Sequence, residues 1–180
     1  PIYAEFIPTR DKLMTAASLA SGPARMPAHV DLARFYLARG MYVEAKGILD
    51  LALAEVKPGD EDSSALTVHA VASTLSGRSE RALADLANPA VAVNIDSQLW
   101  KALALARLRK WAEAREKFKN VEFAITSLPV DLQRIVVAEA FRATLEVRDY
   151  PGASVRSNDL DVLGAGPELA ASVAVLRGRL

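Results

Sequence analysis

The sequence predicts an all-α fold of antiparallel helix hairpins, and two observations support this fold class. First, hydrophobic residues make up 51% of the chain but aromatic residues only 6%, and much of the hydrophobic fraction is alanine, the strongest helix former. A β-sandwich would contain more β-branched and aromatic residues. Second, one helix pattern recurs at steps of 37, 32 and 39 residues, around Ala45, Ala82, Ala114 and Ala153. Since such repeats bury their apolar faces against their neighbours, we expect stacked hairpins, an α-solenoid of nine to ten helices.

Helix start and stop signals place the first elements. Residues 9–21 predict a helix with Thr9 as its N-cap and Gly22 as its end, and we expect it to be the second helix of a preceding hairpin. The clearest hairpin covers residues 26–58, where Gly40 suits the left-handed residue that ends the first helix. Its second helix carries an apolar stripe at helical spacing, formed by Ala45, Ile48, Leu49, Ala52 and Leu53.

The remaining elements follow the same pattern less closely. Three weaker hairpins are predicted over residues 63–88, 96–128 and 129–163. Residues 166–180 predict the first helix of another hairpin. Between the second and third hairpins, Pro89 ends a helix and apolar residues alternate within Asn88–Ile95, which predicts an extended, unpaired link. Both ends resemble cuts through a longer array, so we expect the chain to be a fragment of a longer repeat protein.

The hairpin over residues 26–58 resembles one tetratricopeptide repeat (TPR). The residues that carry the resemblance are Leu32, Ala33, Tyr36, Gly40, Tyr42, Ala45, Leu49, Ala52 and Pro58. His29 stands where this family prefers tryptophan, and Arg109 stands where the third repeat would have its turn glycine. The resemblance extends over most of the chain and implies one TPR-like array over residues 1–180, wound as a right-handed α-solenoid.

The resemblance also implies a binding surface, because the first helices of such hairpins line the concave side of the array. The family's groove positions correspond here to Val30, Arg34, Leu37, Val71, Leu103, Arg107, Arg142 and Leu145. Three of these are arginines among apolar neighbours, which indicates a peptide or protein ligand with acidic and apolar residues. The chaperone-binding members of the family use lysine and asparagine at the places of Val30 and Arg34, so we do not expect that particular activity.

Composition and motifs argue against several other functions. The 22 basic and 22 acidic side chains cancel, so no overall field favours nucleic acid. Basic residues outnumber acidic ones between Lys101 and Lys119, but the two signs interleave as on a solvated helix surface. The absence of cysteine excludes disulfides and thiolate metal sites. No apolar run reaches the length of a membrane span, and no phosphate loop, nucleophile elbow or zinc-protease motif is present.

Two polar features have structural interpretations. His29 and His69 lie on the first helices of adjacent hairpins, and we expect packing or half-exposed histidines, with no metal site. The acidic run Asp60-Glu61-Asp62 lacks the ligand alternation of a calcium loop. It predicts a solvated loop in which Asp62 or Ser63 caps the next helix.

The sequence therefore predicts a non-catalytic protein-protein interaction scaffold without catalytic residues, metal or cofactor. The alternative is a structural, spacer or oligomerisation segment of a large multidomain protein, which would self-associate through its exposed ends. Alanine richness and the preference for arginine over lysine are typical of a GC-rich bacterial genome. The resemblance is to repeat arrays in large bacterial proteins, many of them exported to the cell envelope, and it leaves the periplasm and the cytoplasm both open.

Overall fold

The computed structural model describes residues 2–180, with side chains from residue 5 onward, and its regular structure over this range is entirely helical. The first five helices are α1 Ile2–Leu19, α2 Arg25–Leu37, α3 Tyr42–Leu53, α4 Ser63–Leu75 and α5 Ser79–Leu86. The other six are α6 Ile95–Arg107, α7 Trp111–Lys119, α8 Glu122–Ile125, α9 Val130–Glu146, α10 Tyr150–Leu163 and α11 Gly166–Arg177. The predicted all-α class is confirmed.

The described residues form eleven α-helices, more than the nine to ten predicted. One difference is the four-residue helix α8, which follows α7 after a break at Asn120 and Val121. None of the helices within residues 2–180 has the length and apolar character needed to cross a bilayer.

The chain folds as two compact units, unit 1 over Pro1–Ala92 and unit 2 over Val93–Leu180. In unit 1, α2 packs against α3 and α4 packs against α5, and α3 also contacts α4. In unit 2, α6 packs against α7 and α9 packs against α10, and α9 also contacts α6, α7 and α11. Each unit therefore contains two helix hairpins.

The four hairpins share one type of turn. The first helix of each hairpin ends with a left-handed residue: Gly40 (φ 72°), Gly77 (φ 81°), Arg109 (φ 61°) and Arg148 (φ 61°). The N–H of the next residue then donates to the carbonyl five residues earlier, with N–O distances of 2.7–3.0 Å for Met41–Tyr36, Arg78–Ser73, Lys110–Leu105 and Asp149–Thr144. This is the Schellman pattern, which satisfies carbonyls at the helix end. The left-handed conformation predicted for Gly40 is confirmed.

A fully buried alanine follows each turn at a fixed distance. Ala45, Ala82, Ala114 and Ala153 each lie five residues after the left-handed residue, and each is 0% exposed. Because each of these methyl groups is enclosed by the surrounding helices, a larger side chain would have to displace its neighbours. The turns therefore repeat at the same steps as the alanines that revealed the pattern.

The beginning of the chain differs from the prediction. Helix α1 starts at Ile2 instead of residue 9, so Thr9 lies inside the helix and is not its N-cap. Pro8 is also inside α1, and Gly22 (φ 55°) begins a short 3-10 turn instead of ending the helix directly. Tertiary packing accounts for the longer helix, because the Phe6 ring lies 5.4 Å from the ring of Phe35 on α2.

The predicted extended link is also wrong. The segment Asn88–Val93 forms turns in which the N–H groups of Val91 and Ala92 donate to the Asn88 carbonyl, each at 3.0 Å, and Ile95 begins α6. Val91 is 0% exposed whereas Val93 is 85% exposed. The alternating apolar residues therefore lie in a series of turns, where Val91 is buried and Val93 is exposed to solvent.

The predicted cap of α4 is present. Asp62 has an extended backbone, and its Oδ1 accepts a hydrogen bond from the Ala65 N–H at 2.8 Å. Glu61 accepts a bond from the Gly59 N–H at 2.7 Å. Since a carboxylate at the N-terminus of a helix satisfies a free N–H and lies in a favourable field, the acidic run organises the loop before α4.

Candidate binding groove

Most of the apolar residues predicted to line a concave surface are buried in the structure. Val30 is 3% exposed, Val71 6%, Leu103 0% and Leu145 5%, and Leu37 packs against the core of unit 1. These side chains thus pack among the helices, which leaves the three predicted arginines as the polar part of the set.

The three arginines have different surroundings. Arg34, in unit 1, keeps 57% of its side chain exposed and donates to Ser64 Oγ at 2.7 Å. In unit 2, Glu139 lies between the other two, with Arg107 Nε 4.0 Å from its Oε1 and an Arg142 guanidinium nitrogen 3.9 Å from its Oε2. The structure thus brings Arg107 and Arg142 together around one carboxylate.

Next to Arg142, unit 2 has a groove of about 510 Å³ that we call the arginine groove. Its lining consists of Arg109, Trp111, Arg142, Glu146, Ser172, Val175, Leu176 and Arg179. These residues come from the turn after α6, the start of α7, the last turns of α9, and α11 with the residues after it. Three separate stretches of the chain, residues 109–111, 142–146 and 172–179, therefore build the groove.

Three arginines and a single glutamate line the groove, so its lining has an excess of positive charge. The Arg179 guanidinium donates to Glu146 Oε1 at 2.9 Å. This hydrogen bond lowers the pKa of Glu146, and the charges of Arg179, Arg142 and Arg109 lower it further. The same bond raises the pKa of Arg179. Glu146 is therefore an ionised carboxylate held among three cations, and it neutralises only one of them.

Arg109 and Trp111 give the groove its exposed cation and its aromatic wall. Arg109 is exposed, and within residues 5–180 no carboxylate oxygen lies within 4.0 Å of its guanidinium. Trp111 is half-buried at the first position of α7. Arg109 was predicted only to replace a turn glycine, and its positive charge at an exposed turn is the sequence signal for a binding residue.

Unit 1 has a polar cluster of a different kind. His69 is 0% exposed, with Nδ1 2.6 Å from Asp85 Oδ2 and Nε2 2.9 Å from Asp50 Oδ1. Burial raises the pKa of Asp50, but hydrogen bonds from Lys46 and His69 together outweigh this effect, so its pKa is lowered. The buried His69 ring of α4 thus connects to Asp50 of α3 and to Asp85 of α5. His69 is thus a packing residue, one of the two structural roles predicted for it.

Within the described part of the chain, no group of three or more histidine, aspartate or glutamate side chains is arranged to hold a metal ion. Comparisons with protein-family models, with curated proteins and with solved structures found no match to this chain. The geometry of the two units is therefore the basis for the function proposed below.

Proposed function

We propose that this chain is a non-catalytic protein-protein interaction module, built from TPR-like hairpins, that holds a peptide or protein partner. The observation that carries the proposal is the arginine groove, which opens between helices of unit 2 and has more positive than negative side chains. The repeated turns and buried alanines support the TPR-like character of the hairpins. Helical repeats of this kind offer rigid, side-chain-lined surfaces, which suit the binding of an extended or helical segment.

An affinity capture from the cells of origin tests this function. The full chain is immobilised and compared with a variant in which Arg109, Arg142 and Arg179 are replaced by alanine. We expect the first to retain a defined partner at moderate salt and the second to lose it. A variant with Arg148→Ala serves as a control, since Arg148 is an exposed arginine outside the groove lining. Equal retention by all three proteins would contradict binding in the groove.

The alternative is a structural or oligomerisation segment with no ligand of its own. It is favoured by exposed apolar side chains on the last two helices, where Val162 is 90% exposed and Val175 66% exposed. Light scattering distinguishes the two functions. The structural function predicts a defined oligomer that dissociates when Val162→Ser or Val175→Ser is introduced. This result, together with the capture of no partner, would support the structural function over the interaction function.

A further inference from the structure

We propose that the arginine groove binds an acidic segment of a partner protein, in which a carboxylate side chain lies next to a large apolar residue. In this arrangement Arg109 and Arg142 bind the carboxylate, and Trp111 contacts the apolar neighbour. The inference rests on the proposed interaction function and specifies the chemistry of the partner.

Two cations of the groove, Arg109 and Arg142, remain available to a ligand. Arg179 is engaged by Glu146 at 2.9 Å. Arg142 has 40% of its side chain exposed, and its distance to Glu139 is 3.9 Å, longer than a hydrogen bond. Arg109 is exposed at the turn. Because guanidinium groups offer several N–H donors in a fixed plane, two of them can hold one carboxylate through charge-assisted bonds.

The charges of the lining determine the charge of the ligand that the groove accepts. Glu146 stays ionised among the arginines and is part of the lining. Its repulsion of an anion and the attraction by the three arginines both grow with the charge of the ligand, so the balance stays attractive. The excess positive charge of the lining still attracts an anion. The lining therefore attracts anionic side chains, and the pair of Arg179 and Glu146 shows that a guanidinium–carboxylate hydrogen bond already forms in it.

The groove also has an apolar part. Trp111 forms one part of the lining, and Val175 and Leu176 of α11 form another. Val175 is 66% exposed, so an apolar ligand side chain would remove its surface from water. A volume of about 510 Å³ accommodates a few side chains of a peptide. An acidic residue beside an aromatic or aliphatic one matches both parts.

The test uses the full chain and a blocked heptapeptide in which two glutamates flank one phenylalanine within glycines. The chain has two tryptophans, and Trp100 is buried with 4% exposure. Their indole N–H signals in a nitrogen-15 correlation spectrum are assigned with Trp111→Phe. Titration to about 2 mM peptide, which covers weak motif binding, should shift the Trp111 signal and leave the Trp100 signal in place. Absence of a shift at Trp111 would overturn the inference.

Three altered peptides identify the chemistry. The first replaces both glutamates by glutamine, the second replaces them by phosphoserine, and the third is the glutamine peptide with a free C-terminal carboxylate. We expect the glutamate peptide to bind more tightly than all three. Equal binding by the glutamine peptide would refute carboxylate recognition. Tighter binding by the phosphoserine peptide, or by the free C-terminus, would instead assign the groove to those ligands and overturn the inference.

Arg148 provides a matched control variant, because it has the same left-handed backbone as Arg109 (φ 61° in both) but is not part of the groove lining. Arg109→Gly and Arg142→Gln should each weaken the glutamate peptide about tenfold, the loss expected for a charge-assisted hydrogen bond. Arg148→Gly should leave the affinity within about twofold, since an exposed charge outside the lining contributes little. Equal losses in Arg109→Gly and Arg148→Gly would refute the role of Arg109.

The inference and the proposed function can fail separately. If the chain captures a partner protein that Arg109→Gly and Arg142→Gln still retain, the interaction function stands and the groove assignment is wrong. If the glutamate peptide binds as expected but no partner protein is captured, the groove chemistry stands and the wider function is contradicted.

Discussion

Arg109 and Arg148 occupy the left-handed position at the end of a first helix, where the other two hairpins have Gly40 and Gly77. A side chain in this conformation brings its Cβ close to the following carbonyl oxygen, whereas glycine adopts it freely. We therefore predict that Arg109→Gly and Arg148→Gly each stabilise unit 2. This is an unusual expectation, because both substitutions remove a whole side chain.

The magnitude follows from two opposing contributions. The left-handed conformation costs a non-glycine residue about 1–2 kcal/mol, and glycine removes this cost. Glycine also increases the conformational freedom of the unfolded chain, which opposes folding by about 0.4–1 kcal/mol. The difference is a gain of about 0.5–1 kcal/mol per substitution. Arg109→Gly should gain somewhat less than Arg148→Gly, because Arg109 is attracted by Glu146.

The opposite substitutions in unit 1 provide the control. A Cβ added at Gly77 meets no atom within 4 Å, and one added at Gly40 lies 4.0 Å from the Tyr42 hydroxyl. Neither position has a steric clash with its surroundings, so backbone strain alone determines the effect. Gly40→Ala and Gly77→Ala should each destabilise the protein by about 0.5–1 kcal/mol.

Urea denaturation followed by far-ultraviolet circular dichroism measures all four variants, with the slope of the unfolding free energy against urea checked for constancy. The reasoning is refuted if Arg148→Gly lowers the stability, or if the alanine variants are as stable as the parent chain. Either result would mean that the turn backbone relaxes at little cost.

Three further predictions concern packing and charge. Replacing His69 by leucine should lower the free energy of unfolding, measured in urea, by about 2–4 kcal/mol. The reason is that Asp85, which is only 5% exposed, loses its hydrogen-bond partner, the His69 ring. A smaller loss of stability than that caused by Asp50→Asn would contradict this. Ala114→Leu should destabilise by about 1–3 kcal/mol through overpacking, whereas Ala112→Leu at an exposed neighbouring site should change thermal stability little. The hydrogen bond from Arg115 and the one from the Gly152 N–H lower the pKa of Asp149. The ionised Asp149 carboxylate therefore contributes its full stability above the ordinary aspartate pKa of about 4. This contribution is lost as the pH falls through the lowered pKa of the folded protein. Asp149→Asn keeps a helix cap and should show a weaker decline in unfolding free energy between neutral and acid pH; an equal decline would refute the assignment.

Local features made the hairpins predictable from the sequence. The turn and the small residue after it lie within six residues of each other, as at Gly40 and Ala45, and both leave a direct sequence signal. The third and fourth turns show that the backbone pattern persists where the glycine is replaced, since Arg109 adopts the same conformation. Each of the four alanines lies five residues after its turn, even where the turn residue is arginine.

Sequence reasoning predicted less of the candidate site than of the fold. The eight residues carried over from the family resemblance include Arg142, which does line the groove. Several of their apolar members, Leu103 among them, are fully buried. A helical period shows which residues share a face, but it does not show whether that face meets solvent or another helix. Trp111 and Arg179 could be placed in one groove only from the packing of α9 against α7 and α11.

The amino-acid sequence by itself determined the helical class and the left-handed turn at Gly40, because helix periodicity and turn dihedrals depend on residues a few positions apart. Tertiary structure decided the length of α1, the enclosure of His69 between Asp50 and Asp85, and the meeting of Arg109, Arg142 and Arg179 around Glu146. In each of these cases, at least one of the partners comes from a distant part of the sequence. Their contacts arise from how whole helices pack, and this packing sets both the burial of a side chain and the charges that surround it.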